Sequence, residues 1–288
     1  MEKNLKNLKV AFFGTPEIAV YVLDELKTQG IVPELIITAP DKPKGRKLTV
    51  TPPETKLWAQ KHNIAILQPE KLNDANFLSQ IKSKSWDIFI VVAYGKIIPE
   101  SLFEIPSHGT LNVHPSLLPR LRGPSPIQSA ILGEEKTGVT VMLLDEQMDH
   151  GPIVAQRQVE VASWPPKASM LGKILAEEGA RLLAQNILPW IDGKIKATAQ
   201  DDSAATYTKK IKKTDGLVDL SDTPEENYRK IQAFDVWPRA YFIIEKNGKQ
   251  MRVVITDAEL KEDSLVIKSV IPEGKKEMLY ADFLRGNS

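Results

Sequence analysis

The run Asp87-Ile88-Phe89-Ile90-Val91-Val92-Ala93 constrains the fold more than any other stretch of the chain. It is apolar from Ile88 onward, so a strand built from it needs cover on both faces. That is the pattern of a central strand in a parallel sheet, with helices on either side. Other segments fit around it. Residues 9–13 read as a buried strand, and Gly14-Thr15-Pro16 turns the chain into a helix at 17–27. Thr15 is the candidate N-cap there, with Pro16 at the first helical position, where a missing N–H costs nothing. Strand patterns at 34–38, 64–67, 110–114 and 138–144 alternate with helix patterns at 54–61, from Asn73 and at 167–185. This alternation predicts an α/β fold, a Rossmann-like doubly wound parallel sheet that binds ligands beyond the carboxyl ends of its strands.

Near 197–205 the composition becomes small and polar, as linkers do. Beyond it, a helix pattern at 225–233 and β patterns at 241–244, 251–256 and 265–270 predict a small barrel-like domain of OB type. At 288 residues the chain is long enough for two domains. The expected division is a catalytic domain over 1–200 and a smaller one over 206–288.

Several classes of function are excluded by what the sequence lacks. Without cysteine there are no disulfides, thiol nucleophiles or thiolate metal sites. The four histidines (His62, His108, His114 and His150) include no pair at the i, i+4 spacing of zinc enzymes, so metal-free chemistry is expected. Phe13-Gly14-Thr15-Pro16 resembles the start of a dinucleotide fingerprint, but no glycine follows before Gly30, and a pyrophosphate would have no close backbone approach. No apolar run reaches the length of a membrane span, and the first residues carry no signal-peptide core, which predicts a cytoplasmic protein. The net charge is +1, so any nucleic-acid partner must be met by local basic patches. Two exist: Lys42, Lys44, Arg46 and Lys47 in one loop, and Lys209, Lys210, Lys212 and Lys213 beside the linker.

Chemistry concentrates in Leu111-Asn112-Val113-His114-Pro115-Ser116-Leu117-Leu118-Pro119-Arg120. In a strand, residues i and i+2 share a face, so Asn112 and His114 project together. An amide can donate to an oxygen, and an imidazole, ordinarily titrating near about 6.5, can exchange a proton. Leu143-Leu144-Asp145-Glu146-Gln147-Met148-Asp149-His150-Gly151 brings a carboxylate out of a second apolar run. An Asn, a His and an Asp on neighbouring strand ends suit acyl transfer to an amine. Ser116 lacks the elbow that surrounds a hydrolase nucleophile, and His150 reads as a loop residue.

These runs, with Pro126-Ile127-Gln128, Thr137-Gly138-Val139-Thr140, Val92-Ala93-Tyr94-Gly95 and Phe234-Asp235-Val236-Trp237-Pro238-Arg239-Ala240, resemble the folate-dependent formyltransferase family over nearly the whole chain. The resemblance implies 10-formyltetrahydrofolate as formyl donor, with Asn112, His114 and Asp149 as catalytic residues. It implies a folate-binding wall at Ser116, Leu117, Leu118 and Pro119; Tyr94 and Gly95 end the central strand, so their backbone either lines the pterin pocket or forms a plain strand-to-loop turn. Within the family, the basic loop resembles that of enzymes acting on initiator methionyl-tRNA, which makes Arg46, Lys44 and Lys47 its contacts with the acceptor end. A monomer is expected. Other readings are formyl transfer to an amino sugar nucleotide, or folate or tRNA binding without catalysis. Set against the family's pattern, Pro115 stands where glycine is also seen, Gln147 and His150 replace commoner Gly and Thr, and the C-terminal domain looks shortened between Glu262 and Ser264.

Overall fold

A computed structural model describes residues 4–45, 48–134, 136–246, 248–262 and 264–286. The first part of the chain runs β1 (Val10–Gly14), α1 (Glu17–Thr28), β2 (Leu35–Ile37), β3 (Lys42–Lys44), β4 (Thr49–Thr51), α2 (Glu54–Lys61), β5 (Ala65–Leu67), α3 (Ala75–Lys82) and β6 (Ile88–Val92). Then come α4 (Glu100–Phe103), β7 (Thr110–His114), α5 (Pro126–Gly133), β8 (Thr137–Leu143), β9 (Ile153–Val159) and α6 (Ala168–Ile191). The last part runs α7 (Pro224–Ala233), β10 (Tyr241–Lys246), β11 (Lys249–Lys261), β12 (Ser264–Pro272), β13 (Met278–Leu279) and α8 (Tyr280–Arg285).

Seven strands form one sheet in the order β5-β2-β1-β6-β7-β8-β9. It is parallel from β5 through β7, and β6 is buried at every position, as its composition requires. The order reverses between β1 and β6, the place where doubly wound sheets open a crevice. At β7 the sheet changes character, because β8 runs antiparallel to it. The sequence pattern does not mark β9, an edge strand whose Gln156, Arg157 and Gln158 dilute the apolar signal. α1 begins at Glu17 with Pro16 at the N-cap. Thr15 does not cap it; its hydroxyl donates to the Tyr94 carbonyl at 3.3 Å.

The chain folds into two units, and each gathers separated stretches of sequence. One holds residues 1–122, 138–159 and 173–207; the other holds 123–137, 160–172 and 208–288. The second unit is therefore not one continuous tail: α5 packs on α7 within it, and Arg229 of α7 donates to the Ile131 and Glu134 carbonyls at the end of α5. Its sheet pairs β10-β11-β12-β13, antiparallel throughout, with a register shift near Asp257 that breaks the long β11. Thr223 and Glu226 close a capping box at the start of α7, with Pro224 after it, a start legible in Thr-Pro-Glu-Glu. Ile231, Phe242, Val253, Ile255, Val270 and Phe283 form this unit's core.

The segment read as a linker is folded into the first unit. Thr198 bridges Ile153, and Asp202–Ala204 is a 3-10 helix capped by Asp201. Small polar residues signal an exposed chain, but they also hydrogen-bond well, and composition does not separate the two.

Candidate active site

β7 is held so that its two chemical side chains share one face. Val113 points the other way, against α6, where a Cβ added to Gly179 would lie 2.5 Å from Val113 Cγ1. Only glycine lets the helix approach so closely. Asn112 and His114 are buried, at 8% and 4% exposure, and Asp149 comes to both. One carboxylate oxygen serves the pair: Asn112 Nδ2 donates to Asp149 Oδ1 at 3.4 Å, and His114 Nδ1 lies 3.6 Å from the same atom.

The convergence does not come from parallel strand ends. In the antiparallel register Leu143 pairs with Leu111 and Thr140 with His114, so β8 ends level with the start of β7. The loop at 144–152 brings Asp149 back to the site. Its geometry is tight: a Cβ on Gly151 would lie 1.9 Å from the Leu143 carbonyl oxygen. The left-handed residue of this loop is Asp149 itself (φ 53°), not Gln147.

His114 Nε2 lies 3.0 Å from the Leu121 carbonyl oxygen. A carbonyl only accepts, so this bond assigns the proton of the neutral imidazole to Nε2 and leaves the Nδ1 lone pair facing the site. Leu121 is left-handed (φ 61°), as is Ala93 (φ 46°) just after β6. Three side-chain-bearing residues in this unfavourable region therefore follow the strands around the cluster, and such strain gathers where function requires it.

The loop after β7 is built into a wall. The Ser116 hydroxyl donates to the Arg120 carbonyl at 2.7 Å, and the Thr140 hydroxyl to the Ser116 carbonyl at 2.7 Å. Gln156 Nε2 donates to the Leu118 carbonyl at 2.8 Å. Ser116 and Leu118 are buried, whereas Leu117 and Pro119 are half-buried. Tyr94 packs its ring edge-on against Phe13 at 5.5 Å, and burial pushes its phenol up to about 12. Its side chain belongs to the core, so the segment can offer a ligand its backbone, with Gly95 also left-handed (φ 79°).

The basic loop is an antiparallel hairpin, β3 on β4. Arg46 and Lys47 lie outside the described residues, as does the Lys44 side chain. At its base, Asp41 accepts from Lys56 Nζ at 2.8 Å on both oxygens and from Gln68 Nε2 at 2.7 Å. The Gln68 and Lys56 hydrogen bonds hold the Asp41 carboxyl below the usual carboxylate range. Among the described residues, no group of three or more His, Asp or Glu side chains is placed to hold a metal ion, and no helix is long and apolar enough to cross a membrane.

Sequence reasoning missed Arg122, Gln200 and Asp202, which lie close behind Asp149. The available signal was Arg122, one residue before Gly123 in a leucine- and proline-rich loop.

Residues 8–187 match the formyl transferase model, and residues 210–264 match that of the formyl transferase C-terminal domain. A methionyl-tRNA formyltransferase of Halalkalibacterium halodurans is 38% identical over 303 residues, covering 97% of this chain and 95% of that one. The chain belongs to the methionyl-tRNA formyltransferase family. Its fold is that of the methionyl-tRNA formyltransferase from Clostridium thermocellum (TM-score 0.59, 17% identity, 92% of this chain and 98% of that one). It is also similar to HypX from Aquifex aeolicus in complex with tetrahydrofolic acid, with a TM-score of 0.67 at 16% identity, over 96% of this chain and 47% of that one.

Proposed function

We propose that this chain transfers the formyl group of 10-formyltetrahydrofolate to the α-amino group of initiator methionyl-tRNA. The observation that carries the reading is the single Asp149 oxygen meeting both the Asn112 amide and His114 Nδ1. Attack of a neutral amine on the formyl carbon makes a tetrahedral oxyanion. An amide has two N–H groups, and the one not directed at Asp149 is the donor for that oxygen. His114 Nδ1, carrying the lone pair, takes the amine proton, and the adjacent Asp149 carboxylate stabilises the imidazolium that results. The proton returns to the folate nitrogen as the C–N bond breaks.

The half-buried Leu117 and Pro119, with the left-handed backbone at Ala93 and Gly95, suit a flat heteroaromatic donor. The Ser116 hydroxyl and the Leu118 side chain then act by holding the wall. Arg46, Lys44 and Lys47 are assigned to the acceptor end of the tRNA: Arg46 for phosphate or an unpaired base, the lysines for phosphate. The first unit supplies the chemistry and the second further tRNA contact, in a cytoplasmic monomer.

The test is incubation with a labelled formyl donor and a mixture of aminoacylated tRNA and amino sugar nucleotides. Label in methionyl-tRNA is the expected result. Label confined to sugar product overturns the acceptor, and no transfer to any amine overturns catalysis.

A further inference from the structure

We infer that Gln200 is a positioning residue for the Asp149 carboxylate, backed by the buried Arg122 and tied across the loop through His150. The inference rests on the role given to Asp149 above. A left-handed aspartate beside an imidazole keeps that conformation only if its surroundings over-determine it. Gln200 does this with both hydrogens of its amide. Nε2 donates to the carbonyl oxygens of Asp149 at 2.9 Å and Gly151 at 2.8 Å, gripping the backbone on either side of His150.

The other end of the amide is fixed in turn. Gln200 Oε1 accepts from Arg122 Nε at 3.0 Å and Nη2 at 2.9 Å. A planar guanidinium offers two donors in fixed geometry, so it sets the plane of the amide as well as its place. The Arg122 side chain is only 2% exposed, and it donates to Asp202 Oδ1 at 2.8 Å and to the Tyr207 hydroxyl at 3.3 Å. Amide orientation is thus assigned by its partners: the reverse placement would set an NH₂ against the guanidinium and an oxygen against two carbonyls.

The chain of contacts closes on the loop it supports. The second oxygen of Asp202 lies 3.4 Å from His150 Nε2, while His150 Nδ1 donates to Asp145 Oδ2 at 2.5 Å. Asp145 Oδ1 accepts from the Gln147 backbone N–H at 2.9 Å. His150 therefore turns away from the Asn112–His114 cluster and links the start of the loop to the 3-10 helix that follows Gln200. Asp145 and Asp202 are the carboxylates that face it, with Arg122 behind Asp202. Protonated, the imidazole serves both carboxylates; neutral, it serves Asp145 and turns a lone pair toward Asp202. Neither Gln200 nor His150 is given contact with the reacting atoms, so both act through Asp149.

The experiment is a double-mutant comparison in the full chain: Q200L, D149N and the double variant, with kcat and the KM for the formyl donor measured for each. Misplacing a catalytic group by a fraction of an ångström to 1 Å costs up to about 10²-fold. Q200L is therefore expected to lower kcat by about 10- to 10²-fold, leave the donor KM unchanged and add nothing further in the D149N background. A support that merely keeps the protein folded would slow D149N by the same factor as it slows the wild type, and that result overturns the inference. So does wild-type kcat in Q200L when D149N is slow. Wild-type turnover in D149N overturns the role of Asp149 itself, and this inference with it. H150Q gives a second readout: the ratio of wild-type to H150Q kcat is expected to be largest between the carboxylate range and the His150 titration, and to fall as pH rises through the latter. A flat ratio removes His150 from the tie. Should Q200L fail to fold, Q200N, whose amide is one methylene short, carries the same comparison.

Discussion

In the proposed reaction the Asn112–His114–Asp149 cluster and the basic hairpin at β3–β4 are given opposite tasks. In the cluster every side chain is buried or nearly so, and left-handed backbone at Asp149 and Leu121 accompanies the placing of one carboxylate oxygen and one carbonyl. Among the described residues of the hairpin, the base is held through Asp41, Lys56 and Gln68 and the strands by the β3–β4 pairing, while Lys42, Pro43, Leu48, Thr49 and Val50 are exposed. Bond-making requires atoms held in place before the substrate arrives. Meeting a large polyanion requires exposed positive charge on a loop whose footing is firm. The two regions should therefore respond differently to substitution.

The largest effects belong to the cluster. N112A removes the proposed oxyanion donor and is expected to lower kcat by about 10²- to 10³-fold, measured in single turnovers with saturating substrates. H114A should cost at least about 10²-fold in kcat with little change in folate affinity. Near-normal turnover in a folded H114A variant removes the imidazole from the mechanism. G151A forces a methyl group against the Leu143 carbonyl, so it should misplace Asp149; the check is a fall in both Tm and kcat, and an unchanged kcat shows that the loop does not set the carboxylate.

Substitution in the hairpin should act on recognition instead. R46A is expected to lower kcat/KM for methionyl-tRNA, leave folate affinity intact and flatten the salt dependence by a log–log slope of about 0.7 to 0.9 for one phosphate contact. Partial rescue by R46K indicates phosphate, and no rescue indicates stacking or a bidentate contact. Unchanged kinetics and an unchanged slope would make the hairpin a solvated surface and dissolve the contrast between the two regions.

The smallest effect is on stability. The hydrogen bond to Asp145, with the charge of Asp202 nearby, raises the His150 imidazole above its ordinary value. A raised folded-state value stabilises fully below the unfolded value, near about 6.5, and that stabilisation is lost as pH rises through the folded value. The Arg122 hydrogen bond, aided by His150, holds Asp202 below the ordinary carboxylate range, so its contribution is lost in acid. The Tm difference between wild type and H150Q should therefore be greatest between the carboxylate range and the imidazole range, and smaller on the alkaline side. A difference that stays constant from that interval through the alkaline side of the His150 titration excludes the linkage.

Much of this molecule is local in origin. The apolar run at 88–92 specifies a strand covered on both faces, and period-two geometry puts Asn112 and His114 on one side of β7. Thr223, Pro224 and Glu226 fix the start of α7 within four residues. These features depend on neighbours in the chain, which a sequence displays directly. The direction of β8, the return of the 144–152 loop and the insertion of Gln200 between Arg122 and Asp149 are of another kind. A hydrogen bond between residues 78 positions apart leaves no periodicity and no composition to read. The 197–205 stretch shows this most clearly: its small polar residues have the composition of a linker, yet one of them grips the backbone of the proposed catalytic carboxylate. Chain-local patterns chose the elements and the proposed reactive residues. Long-range packing chose which carboxylate they meet, because a buried polar group takes its partner from whatever the folded chain brings within reach.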